Sequence, residues 1–207
     1  MLSAQESLQR LIEGNRRFVA GRQEQDTASE KRRELVAGQA PFAIILGCSD
    51  SRVPAELVFD QGLGDLFVIR VAGNVVAPSQ IGSVEFAAEA FGTRLVVVLG
   101  HSNCGAIQAT LDELKRPQEN RSPNLRSIVD RIRPSIEPLV ESAPADTGEQ
   151  LVERAVRANI RASAKQLRYG SQILEELVEK DGLLIVGAEY SLETGAVDFF
   201  EGLPSDK

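Results

Sequence analysis

Short apolar runs, each bounded by glycine or other turn residues, recur along this 207-residue chain and are separated by longer stretches with helical spacing. The runs at 42–46, 66–70, 95–99 and 183–188 read Phe-Ala-Ile-Ile-Leu, Leu-Phe-Val-Ile-Arg, Leu-Val-Val-Val-Leu and Leu-Leu-Ile-Val-Gly-Ala. They are continuous rather than alternating, the pattern of parallel strands covered on both faces. A fifth run at 196–200 follows Thr194-Gly195 and is expected to form an antiparallel hairpin at the sheet edge.

Between the runs the period changes to that of helices. Ser3-Ala4-Gln5-Glu6 is a capping box, and Leu8, Leu11, Ile12, Phe18 and Val19 follow on one face, with Gly21 placed to end the helix. A second helical segment over 28–37 stops at Gly38. Both precede the first strand, so their apolar faces cover either the chain's own core or a partner subunit. Residues 54–59 read as a short helix or turn. Ser79 is the expected cap of a helix carrying Ile81, Val84, Ala88 and Phe91, ended by Gly92, and another helix is expected over about 103–114. Pro117, Pro123, Pro134, Pro138 and Pro144 predict separate helical pieces, with Leu125, Ile128, Val129 and Ile132 sharing a face. Thr147-Gly148-Glu149-Gln150 is a second capping box opening a long helix that Gly170 breaks, after which Ile173, Leu174, Leu177 and Val178 continue the apolar face. The expected fold is α/β, with a mostly parallel sheet, an antiparallel edge strand, flanking helices and an N-terminal helical arm. One domain spans 1–207, divided into an arm, 1–38, and an α/β core, 39–207.

Composition narrows the function. A hydrophobic fraction of 43% and a charged fraction of 26% are those of a globular protein. No apolar run approaches the roughly 20 residues a membrane-spanning helix needs. The first 18 residues have no signal-peptide pattern, so the expected location is cytoplasmic. A net charge of -7 argues against nucleic acid as a partner, and the clusters Lys31-Arg32-Arg33 and Arg126, Arg131 and Arg133 read as solvated helix faces.

The ends of two of the strands carry the chemistry. The first runs into Gly47-Cys48-Ser49-Asp50-Ser51-Arg52, and the third into Gly100-His101-Ser102-Asn103-Cys104-Gly105. Open α/β sheets build their sites at such carboxyl ends. Here they hold both cysteines and the single histidine of the chain. In a reducing compartment two such cysteines are metal ligands or catalytic thiols rather than a structural disulfide. Cys48, His101 and Cys104 supply three ligands for a tetrahedral Zn2+, and with no Cys or His left a water or a nearby carboxylate must complete the shell, as in a catalytic site. Asp50 and Arg52 alternate with serines and can pair on one side of an extended segment. A carboxylate held by a guanidinium stays ionised and fixed in direction. Because metal binding lowers the pKa of water to about 7, the set suits attack on a small electrophilic carbon. The competing reading from another class is a non-catalytic zinc-stabilised or Cys48/Cys104 redox module, and the Asp50-Arg52 pair argues against it.

Cys48-Ser49-Asp50-Ser51-Arg52-Val53-Pro54 together with His101-Ser102-Asn103-Cys104-Gly105 resembles the β-class carbonic anhydrases, zinc enzymes that interconvert carbon dioxide and bicarbonate. The resemblance runs from Gly38 to the region of Gly187 to Gly195. It implies hydration of carbon dioxide, with hydrolysis of carbon disulfide or carbonyl sulfide on the same scaffold as the alternative, one Zn2+ per chain on Cys48, His101 and Cys104, and a catalytic dyad of Asp50 and Arg52. It further implies that Asp50 becomes a zinc ligand only in a closed state at low pH, as in part of the family. Gln39 would bind substrate and Phe67 would form an apolar pocket wall. A homodimer or homotetramer is expected, with pockets at the interface and N-terminal helices embracing the partner. Some bacterial members hold regulatory bicarbonate with a tryptophan, an arginine and a tyrosine. Arg70 and Tyr190 resemble the latter two, whereas Ile45 stands where the tryptophan would be and the chain has no Trp. The tyrosine of the plant-type pocket has no counterpart near Gln80 and Ile81. With His101 committed to zinc, no histidine remains to shuttle a proton, so proton transfer is expected to lean on buffer or a water chain.

Overall fold

The computed structural model describes residues 2–23, 29–116, 122–142 and 148–204. Helices α1 (Ala4–Val19) and α2 (Ser29–Glu34) and a 3-10 turn at Leu35–Ala37 precede β1 (Ala43–Gly47). Then follow α3 (Ala55–Val58), β2 (Leu66–Arg70), a 3-10 turn at Ala72–Asn74, α4 (Pro78–Ala90) and β3 (Leu95–His101). The chain continues through α5 (Gly105–Lys115), α6 (Pro123–Ser142), α7 (Gly148–Tyr169), α8 (Gln172–Lys180), β4 (Leu184–Tyr190) and β5 (Val197–Glu201).

The strands form one sheet in the order β2-β1-β3-β4-β5, parallel throughout except for the β4–β5 hairpin. This is the expected fold class. Because β2 and β3 lie on opposite sides of β1, the order reverses between β1 and β3, and a crevice opens beyond their carboxyl ends. Side chains alternate between two cores. Ile44, Leu46, Val96 and Val98 pack beneath α4 to α8, whereas Ala43, Ile45, Val97 and Leu99 pack against α1 and α3. Each fully buried Leu or Ile contributes roughly 1.5–3 kcal/mol.

Helix α1 covers its own chain's sheet. Its expected capping box forms, with the Glu6 amide donating to Ser3 Oγ and the Ser3 amide to Glu6 Oε2. Leu8 and Leu11 are buried in the sheet core. A Cβ at Gly14 would lie 1.9 Å from the Phe59 carbonyl oxygen, so only glycine allows this crossing. Asn15 joins three segments through bonds with the Val58 and Gly195 carbonyls and the Val197 amide, and Arg17 pairs with buried Asp60 at 2.6 Å. Of the two coverings open to the leading helices, α1 takes the chain's own core. The segment after it differs, for Val36 is 86% exposed.

Several local expectations are corrected. Helix α4 has Ala77 rather than Ser79 at its cap and no side-chain cap bond, because Pro78, with its preset φ, occupies the first turn. Helix α6 is continuous through Pro134 and Pro138. Both prolines are exposed and four residues apart, so the carbonyls they leave unpaired lie on the solvent side. Leu125, Ile173 and Val178 are exposed rather than part of apolar faces. Thr147, with the capping box it opens, and Pro117 and Pro144 lie outside the described residues.

Candidate metal centre

Strand β1 ends at Gly47, and the next residue, Cys48, turns its thiol under the sheet's carboxyl end, where it is 5% exposed. β3 runs two residues beyond its apolar stretch and delivers a fully buried His101. Cys104 then stands at the cap position of α5, 2% exposed, where helix amides and the helix dipole favour a thiolate. The sulfur and nitrogen atoms of Cys48, His101 and Cys104 all lie within 4.8 Å of one another.

The imidazole is oriented for ligation. His101 Nδ1 is 2.9 Å from the Ser102 carbonyl oxygen, which can only accept, so Nδ1 carries the proton and Nε2 presents its lone pair to the cluster. Nε2 is buried and has no hydrogen-bond partner. An orphaned imidazole nitrogen beside two sulfurs fits a zinc ion, for which sulfur and imidazole nitrogen are preferred donors. Zinc is the cofactor this donor set implies. The hydrogen bond from Cys104 draws Cys48 down to about 4, aided by His101 against the opposing effect of burial. The same bond, then burial, push Cys104 up. Burial works to lower His101, but the charge of the neighbouring Cys48 sulfur outweighs it and holds the imidazole above its ordinary value.

Asp50 and Arg52 pair as expected. Arg52 donates from Nε to Asp50 Oδ1 at 2.9 Å, from Nη2 to Oδ2 at 2.7 Å and from its backbone amide to Oδ1 at 3.0 Å. This bidentate clasp holds the Asp50 carboxyl well below the usual carboxylate range. Oδ2 also faces the ligands, 3.8 Å from His101 Nε2. Asp50 is therefore turned to its arginine and stands outside the ligand cluster. Beneath this loop, Arg70 donates from Nε to the Cys48 carbonyl at 3.1 Å and from Nη2 to the Asp50 carbonyl at 2.6 Å.

The family model for carbonic anhydrase matches residues 43–197. The chain belongs to the carbonic anhydrase family. "Carbonic anhydrase 2" of Mycobacterium tuberculosis is 39% identical over 188 residues, covering 89% of this chain and 87% of the relative. The carbonic anhydrase of Mycolicibacterium smegmatis is 38% identical, covering 91% and 89%. Among solved structures, the β-carbonic anhydrase CcaA superposes with a TM-score of 0.74 at 30% identity over 97% of this chain and 94% of that one. A tetrameric β-carbonic anhydrase from Sordaria macrospora gives 0.73 at 25% identity, covering 82% and 85%.

The family's remaining positions fall elsewhere in this chain. Gln39 is exposed on the loop before β1, at the opposite end of that strand from Cys48, a separation on the order of 15 Å along the strand alone. Phe67 lies within β2, its ring against Phe86 and Phe91 at 6.2 and 6.0 Å. A single chain therefore does not bring either residue to its own cluster. Ile45 and Tyr190 are buried together in the α1-side core, and Arg70 is engaged by the Cys48 and Asp50 carbonyls. The Gly73 amide, 3.3 Å from Cys48 Sγ, was not foreseen from the sequence, nor was the role of Arg70 as a clasp. Gly73, at φ 66°, permits this close approach of backbone to sulfur.

Proposed function

We propose that this protein catalyses the reversible, zinc-dependent hydration of carbon dioxide to bicarbonate and a proton, as a homodimer or homotetramer. The observation that carries the reading is a buried Cys48, His101 and Cys104 cluster with an ionised, arginine-held carboxylate 3.8 Å from its imidazole. Zinc bound there supplies the Lewis acidity that lowers the pKa of water to about 7 and so provides a nucleophile at neutral pH. Asp50 Oδ2 offers the acceptor that orients the attacking oxygen. Arg52 keeps that acceptor charged and keeps Asp50 from turning onto the ligands, a move that would close the site at low pH. Arg70 fixes the backbone on which both stand. His101 is the only histidine, so the proton must leave through water or buffer.

Gln39 and Phe67 are assigned to the substrate pocket of a second copy. What supports this is their distance from their own chain's cluster, together with the exposed apolar residues around edge strand β2 and the segment after α2. Val36 is 86%, Leu63 47% and Phe86 55% exposed. The cytoplasm is the proposed location, supported by two cysteines that form no disulfide with each other; no helix among the described residues is long and apolar enough to cross a membrane.

Stopped-flow hydration of carbon dioxide by the zinc-loaded protein tests the reading. The expected result is a rate far above buffer alone that rises with buffer concentration at saturating carbon dioxide. No acceleration, or a preference for carbon disulfide or carbonyl sulfide in the same assay, would overturn it.

A further inference from the structure

The buried stripe of α7 is apolar, with Leu151, Ala155, Val156, Ile160, Ala164 and Leu167, except at Asn159 and Ser163. These two are 2% and 4% exposed, and a side-chain amide and hydroxyl so deeply placed need partners. Both find them on one turn far away in sequence. Asn159 Nδ2 donates to the Gly73 carbonyl at 2.8 Å, and Ser163 Oγ donates to the Asn74 carbonyl at 3.0 Å. That turn holds two successive residues in the left-handed region, Gly73 at φ 66° and Asn74 at φ 43°. Such backbone persists only where its surroundings hold it. The same peptide geometry aims the Gly73 amide at Cys48 Sγ, 3.3 Å away. Between the two polar residues, Ile160 presses on the residue before His101, for a Cβ at Gly100 would lie 2.5 Å from Ile160 Cδ1. One face of α7 thus reaches both halves of the cluster.

We propose that Asn159 and Ser163 are positioning residues for the metal centre, holding the Ala72–Asn74 turn so that the Gly73 amide hydrogen-bonds the Cys48 thiolate. An amide donating to a ligating sulfur fixes its direction and withdraws part of its charge, which tunes both affinity and electronics of the bound ion. The proposal rests on Cys48 being a zinc ligand.

Cobalt(II) in place of zinc reports the sulfur directly through the thiolate-to-cobalt charge-transfer band, and competition with a chromophoric chelator gives zinc affinity. Asn159→Leu is expected to shift that band and weaken zinc binding about 10- to 100-fold. Ser163→Ala should do the same more weakly, and Ser163→Thr should restore the parent values. Leu151→Ala, a core truncation on the same helix away from the turn, should lower stability while leaving the band in place. If Asn159→Leu does not fold, the Ser163 pair carries the test. A band and an affinity within about twofold of the parent in both Asn159→Leu and Ser163→Ala, or equal shifts in Leu151→Ala, would overturn the positioning role alone. A parent protein that takes up neither cobalt nor zinc would overturn the zinc reading and this one with it.

Discussion

The loop after β1 and the loop after β3 deliver ligands to one point, but they are secured by different means. After β3 both ligands, His101 and Cys104, are buried, and the loop between them is tied to backbone. His101 is inaccessible, its ring held by the Ser102 carbonyl; the Ser102 amide donates to Tyr190 and its hydroxyl accepts from the Leu192 amide. After β1 Cys48 is buried, but the residues that follow it are more open. Ser49, Ser51 and Arg52 are exposed, and the loop is clasped by two guanidinium groups, Arg52 on the Asp50 carboxylate and Arg70 on the carbonyls beneath. The difference separates two tasks. On the proposed function, the ligands sit where burial and backbone bonds keep them still, while the carboxylate assigned to meet substrate is steered by charge in contact with solvent.

If that division is right, His101→Ala and Cys104→Ser lose zinc and activity together. Metal content after gel filtration should fall from one ion per chain towards none, and hydration to the rate of buffer. Chelating the parent should likewise lower its thermal midpoint, since a ligand bound only to the folded state stabilises it. Zinc retained at full occupancy in either variant would break the assignment of the buried loop. Next in size, Asp50→Asn and Arg52→Ala should keep their zinc yet hydrate carbon dioxide about 100-fold more slowly, as expected for loss of a proton-handling group. Loss of metal in these variants would erase the contrast between the loops. Arg70→Ala, which loosens the loop without touching the carboxylate, should cost activity by about 10-fold, with zinc content unchanged. The smallest effect is on stability in acid. Arg52 holds the Asp50 carboxyl below its ordinary value, so below about pH 4 the unfolded chain binds a proton that the folded chain does not. The stabilisation is complete above that pH and is lost as pH falls towards the folded value. Asp50→Asn should therefore flatten part of the acid limb of thermal stability between pH 5 and 2. Solvent screening keeps the change small. An unaltered limb would show the clasp to be thermodynamically silent.

The strands were readable because residues such as Val96, Val97 and Val98 are buried alternately on both faces, which forces continuous apolar runs. The cluster was readable because both cysteines and the histidine fall within five residues of the end of a run. Helix α6 was not, since Pro134 and Pro138 break helices in general but are tolerated here by facing solvent together. Nor could the clasp of Arg70 be read from local pattern. It exists because Arg70 lies beside Gly47 in the strand register, a consequence of pairing rather than spacing. Asn159 meets Gly73 across 86 residues, and its only local trace is an amide on an otherwise apolar helix stripe.

His101 has a consequence of a more practical kind. In most proteins an imidazole signal must be assigned among several before it says anything. Here every imidazole resonance in a nitrogen or proton magnetic resonance spectrum belongs to His101 and so reports on the cluster. A proton on Nδ1, held by the Ser102 carbonyl, sets the tautomer such a spectrum should display. Ion uptake, loss and exchange can thus be followed in the unaltered chain without a label placed by mutation.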